Sequence, residues 1–455
     1  MEASVPGQPT AEGRPARSIR VVARAVGSAL APVRARLSYL EIDTRLLGMV
    51  LALAIIWIGF GLVSGGTFLS PRNLWNLSVQ SASIAIMATG MVLVIVSRGI
   101  DLSVGSLLGF LGYSMAVVQS VWIPQSLGLG SERPFTWILT LAIGIVIGAA
   151  AGGLQGFVVA YGGVPSFIVT LGGLLVWRGL IFRYAQGQTI APLDTNFQML
   201  GGGTVGTRVG ALGEWASWIL GVAICLAIVY SLIAARRRRL RYGFPVRPMW
   251  AELVLGAAGC AAVLGVVWVA NSYPLPPSVA EQYAQEHEIT SPPGGLIIPT
   301  GLAFPVVIML LVTLVMTFLA SRRRFGRYVY AIGGNPEAAA LAGINVRRTV
   351  MLTFALMGSL AAISAAVQTA RLNAAVTNLG VQNELDVISA AVIGGTSFAG
   401  GIGTIPGAIL GAVVMQSLRS GMVLLLVDSP TQDIVVGLVL VAAVGLDTVV
   451  RRRAR

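Results

Sequence analysis

The residues with the most chemistry to offer are polar side chains set into apolar surroundings. Asp101 and Ser103 lie in Ile100-Asp101-Leu102-Ser103-Val104-Gly105-Ser106, at the start of an apolar run. A carboxylate inside a membrane-length segment is expensive and functional by default, and Asp101 can accept hydrogen bonds from a polar solute. The same carboxylate suits an N-cap over the free amides of a helix beginning at Leu102, with Arg98 placed to pair with it; the two roles are compatible. Ser166, Thr170 and Gly173 mark a second stretch, which Pro165 opens as a helix. Such small and hydroxylic residues serve either close helix packing or the lining of a wet path. A third set, Gly394-Gly395-Thr396-Ser397, interrupts an apolar run. Arg371, Glu384 and Asp386 read as a solvated rim. What is missing is also informative. All 31 basic residues are arginine, so the Gly-Lys-Ser/Thr of a Walker A loop is absent. His287, the one histidine, shares a loop with Glu281, Glu286 and Glu288. A single histidine does not build the usual metal clusters, so no metal and no cofactor is expected. No histidine stands near a nucleophile, and no catalytic set is visible.

One stretch speaks of a partner rather than a solute. Residues 330–343 read Tyr-Ala-Ile-Gly-Gly-Asn-Pro-Glu-Ala-Ala-Ala-Leu-Ala-Gly, polar at the start and helix-forming at the end. Asn335 is a good N-cap, Pro336 suits the first turn, and Glu337 favours the positive end of a helix. Ala338 and Ala339 continue it, and Gly343 is a plausible stop. Arg322, Arg323, Arg324 and Arg327 precede the stretch and Arg347 and Arg348 follow it. These flanks place a short helix on the cytoplasmic face, where a soluble subunit can grip it; a merely structural interfacial helix is the other reading.

The elements that must position these residues follow from composition. The chain has 455 residues, 55% of them hydrophobic and 11% charged, where a soluble domain carries about 25% charged residues. The fold expected is all-α, a polytopic bundle of membrane helices. A spanning helix needs about 20 apolar residues. Segments near 46–65, 76–97, 102–121, 136–160, 165–183, 214–235, 250–270, 300–320, 349–370, 384–399, 403–427 and 431–450 qualify, about twelve by that length criterion. The one near 384–399 is short and Gly-rich, so a broken or re-entrant helix is expected there. The formal charge of +13 sits in runs between apolar segments, as the positive-inside rule requires, and calls for no nucleic acid. An even count puts both termini and every arginine run on the cytoplasmic side, with the acidic loop 271–298 outside. Residues 1–45 form a basic tail, disordered by composition and without a signal peptide. Residues 46–455 form the membrane domain, with a coupling segment at 321–348. Cys225 and Cys260 read as small buried hydrophobes rather than a disulfide. The Gly-rich segments at 96–106 and 393–404 look alike, and in the alternating count both are entered from the outside. Broken helices in corresponding positions point to a translocation site, and two tight turns between packed helices are the plain alternative.

From about residue 45 onward the chain resembles the sugar-type permeases of ABC importers, and most of all xylose-transport permeases. The matching stretches, in order, are Ile100–Ser106, Val164–Leu171, Tyr330–Val346 and Leu385–Gly403. Arg98-Gly99 departs from the small or acidic pair expected before Ile100, and Gln155 stands where many relatives carry Asn. The resemblance implies an integral-membrane subunit, not itself an ATPase, that passes a monosaccharide such as xylose through the cell membrane. It implies three partners: an ATP-binding subunit inside, a solute-binding protein outside, and a second copy of the permease. Asp101, Ser103, Gly105, Ser166, Thr170 and Gly394–Ser397 would then border the path, and Asn335–Gly343 would contact the ATPase. A branched-chain amino-acid permease shares the general plan. A proton-coupled transporter would need buried proton carriers, for which Asp101 is the one candidate.

Overall fold

The computed structural model of the chain describes residues 44–127, 134–289, 292 and 295–454. The expected tail lies outside them as far as residue 43, and Thr44 and Arg45 already belong to a helix. The helices run α1 (Thr44–Val63), α2 (Pro71–Val96) and α3 (Val104–Val117), the last continuing through a π turn at Val118–Trp122 to Leu127. Next come α4 (Thr136–Gly162), α5 (Ser166–Ala185) and the short α6 (Thr195–Met199). Strands β1 (Thr204–Val205) and β2 (Arg208–Val209) pair antiparallel, Thr204 opposite Val209. There follow α7 (Glu214–Arg241), α8 (Met249–Asn271), α9 (Pro277–Glu286), α10 (Phe304–Arg322), α11 (Arg324–Gly334) and α12 (Pro336–Leu341). The chain ends with α13 (Val346–Leu372), α14 (Asn383–Ile393), α15 (Ile405–Leu424) and α16 (Ser429–Ala454).

Ten helices among the described residues are long and apolar enough to cross a membrane, so the chain is a multi-pass helical membrane protein. Local sequence sets where they begin. Ser70 caps α2, its side chain accepting from the Asn73 amide, with Pro71 in the first turn. Thr404 caps α15 in the same way through Gly407, with Pro406 following. Of the twelve expected segments, two are not among the ten: the one near 431–450, where the apolar part found is Ser429–Ala442, and the one near 384–399. Its helix α14 has 11 residues, about 16 Å of rise against a hydrocarbon core of about 30 Å. It stops where Gly395 takes φ 87°, and residues 394–404 continue as irregular chain, so this helix is broken, as its glycines suggested.

Burial sorts the helices. The most apolar stretch of α2 is 94% buried, against 11% in α1 and 11% in α5. Helix α2 is therefore the central post, with α10, α13, α14 and α15 packed around it. Apolar side chains gain little by association in lipid, so small residues that let backbones approach carry the packing. Helix α4 shows this most plainly. Gly148, Gly152 and Gly156 recur every fourth residue on the side facing α13, and a Cβ on any of them would strike the carbonyl of Gly358, Phe354 or Met351 respectively.

Contacts divide the chain into two compact units. One is the hairpin of residues 222–263, from α7 and α8, in which Arg236 pairs with Glu252 at 2.9 Å and donates to the Arg247 carbonyl. Cys225 and Cys260 face each other there as free thiols, half-buried rather than fully buried. The other unit holds residues 45–221 and the chain from 264 onward, including every site considered below.

Candidate functional site

The first polar group of the sequence closes on itself around residues 100–103. Asp101 Oδ1 accepts from the Ser103 amide at 2.9 Å and from the Ser103 hydroxyl at 2.6 Å. That hydroxyl in turn accepts from Gln155 Nε2 at 2.9 Å. Ser166 Oγ takes the Ile100 amide at 3.0 Å, and Thr170 Oγ1 lies 3.2 Å from the Ile100 carbonyl and 2.9 Å from the Ser166 carbonyl. Asp101, Ser103, Thr170 and Gln155 are all buried. The structure thus brings Asp101, Ser103, Ser166 and Thr170 together and spends their hydrogen bonds on fixing the entry to α3. Two details differ from expectation. Helix α3 begins at Val104 rather than Leu102, so Asp101 caps the turn before it and not the helix amides. Arg98 does not turn to Asp101 but donates to the carbonyls of Gly333 and Gly334.

Gly105 lies one turn along, under the Glu384 carboxylate and the Gly380 carbonyl. Gly394, Gly395, Thr396 and Ser397 lie apart from the Asp101 group. Gly394 presses on Gly407 and Ala408 of α15. Ser397 holds a tight loop, its amide donating to Ile402 and its hydroxyl accepting from the Ala399 amide. The two Gly-rich segments do meet each other: the Gly401 amide donates to the Val96 carbonyl at 2.9 Å.

The segment 321–348, expected to couple to a partner, holds two short helices rather than one. α11 is followed at once by α12, whose N-cap Asn335 accepts from the amides of Glu337 and Ala338, both at 3.0 Å. Gly343 ends it at φ 81°, and Ile344 N–H returns to the Ala339 carbonyl. Ala339 faces inward, while Glu337, Ala338, Ala340 and Leu341 are exposed, Leu341 to 91%. An alanine-rich ridge with Glu337 at its start and Leu341 standing out at its end is a shape that a cleft in another protein can close around.

One cavity was not foreseen. It has a volume of about 270 Å³ and lies between α2, α13, α15 and the chain entering α14. Three helices each turn an i, i+3 pair into it: Gln80 and Ser83 from α2, Gln368 and Arg371 from α13, Gln416 and Arg419 from α15. Residues so spaced share one helix face. Gln382, Asn383 and Asp386 complete the polar wall. Gln416 Nε2 donates to Gln80 Oε1 at 2.6 Å, and Gln368 Nε2 donates to Ser83 Oγ at 2.7 Å. Arg419 grips Asp386 Oδ1 through Nε at 3.1 Å and a terminal nitrogen at 2.9 Å, and reaches Asp433 at 3.6 Å. The expected rim therefore separates: Arg371 is exposed, but Asp386 is buried in an ion pair and Glu384 keeps a buried oxygen without a partner. Amides, a hydroxyl, an ion pair and the Arg371 guanidinium at the exposed margin offer closely spaced donors and acceptors. That suits a small polar solute, since the cavity sits just below the usual pocket range of about 300–1,000 Å³. The signal in the sequence was three polar pairs at helical spacing within apolar runs.

A family model described as branched-chain amino acid transport system / permease component matches residues 73–444. The chain is similar to the xylose transport system permease protein XylH of Escherichia coli, at 37% identity over 414 residues, 91% of this chain and 94% of that protein. It is similar to XylH of Haemophilus influenzae at 36% identity, covering 88% of this chain and 95% of that one. The ribose import permease protein RbsC of Escherichia coli is 30% identical over 84% of this chain and 87% of its own length. No solved structure matches the chain.

Proposed function

Because the chain belongs to the family of branched-chain amino acid transport system permease components, we propose that it is the membrane-spanning permease of an ABC importer that carries a pentose such as xylose. The observation that carries the substrate class is the likeness to a xylose permease at 37% identity over 91% of the chain. The amide-lined cavity supports it chemically. A sugar presents hydroxyls in all directions, and the paired side chains of Gln80, Gln368 and Gln416 can each donate and accept. Affinity here need only be modest, because a solute must leave a path as well as enter it.

The division of labour follows. An external solute-binding protein delivers sugar to the outer cavity. A separate ATP-binding subunit grips α12 from the cytoplasmic side, and its closure on nucleotide drives the permease from inward-open to outward-open. Two copies of the chain enclose the path. Asp101, Ser103, Gly105, Ser166, Thr170 and Gly394–Ser397 border that path in this reading: their packing holds the hinges on which it opens. Asn335, Pro336, Glu337, Ala338, Ala339 and Gly343 form the contact with the ATPase.

The test is uptake of labelled xylose, ribose and leucine into vesicles holding the chain with its ATPase and solute-binding protein, each partner left out in turn. Pentose uptake that needs both partners and ATP is the expected result. Leucine uptake with the same dependence would move the chain to amino-acid import. Uptake by the chain alone on a proton gradient would overturn the importer reading.

A further inference from the structure

Helix α2 ends in a turn of the kind that glycine normally fills. The Arg98 amide donates to Ile95 and the Gly99 amide to Val94, both at 2.9 Å. This is the paired hydrogen bonding that closes a helix with one left-handed residue. That residue is Arg98, at φ 67°. A side chain is strained in this conformation and glycine is not.

What the side chain does accounts for its place. Arg98 Nε donates to the Gly333 carbonyl at 2.8 Å and Nη2 to the Gly334 carbonyl at 2.8 Å. These are the last carbonyls of α11, the groups a helix leaves without partners and where its dipole is negative. Arg98 is a C-terminal cap for α11 supplied by another helix. The next residue, Asn335, is the N-cap of α12.

A third segment is locked into the same joint. A Cβ on Gly333 would collide with the Val96 carbonyl and the Gly401 amide, and one on Gly400 would meet the Arg98 side chain and the Gly333 carbonyl. The Tyr330 hydroxyl donates to the Gly403 carbonyl at 2.7 Å. The root of α12, the end of α2 and residues 400–403 therefore cannot shift independently.

We infer that Arg98 is the positioning residue that couples movement of the α12 docking helix to the two Gly-rich segments. The inference rests on the permease reading, and its test separates the two. In vesicles holding the full complex, sugar uptake and ATP hydrolysis are measured together for the wild-type chain, Arg98→Gly and Arg98→Lys. Glycine relieves the left-handed turn while cutting the tie, so Arg98→Gly reaches the membrane in wild-type amount and melts no lower. The ATP consumed per sugar taken up rises about ten-fold, the scale set by loss of a charge-assisted hydrogen-bond pair. Arg98→Lys keeps the charge but not the fork and falls between. A wild-type ratio in Arg98→Gly overturns the inference. If that variant does not accumulate, Tyr330→Phe carries the test: it removes one hydroxyl, should raise the ratio several-fold, and overturns the inference if it leaves the ratio unchanged. Wild-type uptake that ignores the ATPase would overturn the permease reading itself.

Discussion

Asp386 and Arg419 meet in the wall of the cavity with side-chain exposures of 7% and 21%. Removing one member of such a pair leaves a buried charge without a partner, which costs about 3–5 kcal/mol, whereas replacing both is far milder. Arg419→Ala should therefore melt well below the wild-type chain in detergent, and Asp386→Asn combined with Arg419→Gln should recover most of the loss; equal melting of single and double variants would contradict the pairing. The glutamines make a different case. Gln80→Leu or Gln416→Leu deletes one side of the 2.6 Å amide contact. If that contact belongs to the sugar site, uptake should fall about five-fold, the scale of one hydrogen bond of about 1 kcal/mol, with membrane levels and ATP hydrolysis kept. Unchanged uptake in both would place the path elsewhere. These residues were harder to see in the sequence than Asp101 was. A lone carboxylate announces itself in an apolar run, while a glutamine three residues from a serine does not. The face they share becomes visible only when three helices converge, and Asp101 proved to be bonded within its own turn.

Elements were legible where one local signal decided them. The capped helix after Asn335, the break at Gly394-Gly395 and the long apolar helices all follow from residue types and lengths. The short outer elements, β1, β2 and α9, were not legible, because strands of two residues and a ten-residue helix carry too little periodicity. Helix α11 was hidden among arginines. The spacing of Gly148, Gly152 and Gly156 was present in the sequence, but its meaning depends on the partner helix it faces. It supports a sharp test. Gly152 approaches the Phe354 carbonyl so closely that any side chain must push α4 from α13, and overpacking of this kind costs about 1–3 kcal/mol or more. Gly152→Leu should insert in the membrane yet fail to give a monodisperse peak on size exclusion. Gly153→Leu, next to it, has only the Ala355 methyl within 4 Å and should give a normal peak. Identical behaviour of the two would deny the α4–α13 packing. On α12, Glu337→Arg replaces an exposed acid at the helix start with a like charge to the dipole. Insertion should persist while uptake per ATP falls, and intact uptake would remove α12 from the ATPase contact.

For the whole molecule, the even number of crossings survives the broken helix. Ser83 meets Ser364, Gly90 meets Leu360 and Gly99 meets Phe354, so α13 runs antiparallel to α2 and ends near the start of α2. Ser420 meets Asn73 and Gln416 meets Gln80, so α15 runs antiparallel to α2 as well and begins near its end. Between Leu372 and Ile405 the chain must therefore travel the length of α2, and it does so through α14 and the irregular residues 394–404. Counting this passage and α16 with the ten long helices restores the alternation that puts each arginine run on one side. The consequence can be measured with single cysteines in a chain carrying Cys225→Ala and Cys260→Ala. Leu341→Cys, on the exposed ridge of α12, and Ile297→Cys, in the loop before α10, are both open to reagent, at 91% and 78% exposure. An impermeant thiol reagent added to intact cells should label Ile297→Cys alone, and the same reagent on inverted vesicles should label Leu341→Cys alone. Labelling of both from one side would mean that α10, the one span between them, does not cross. The docking ridge and the outer loop would then share a compartment, and α12 could not face a cytoplasmic ATPase while the loop faces a solute-binding protein.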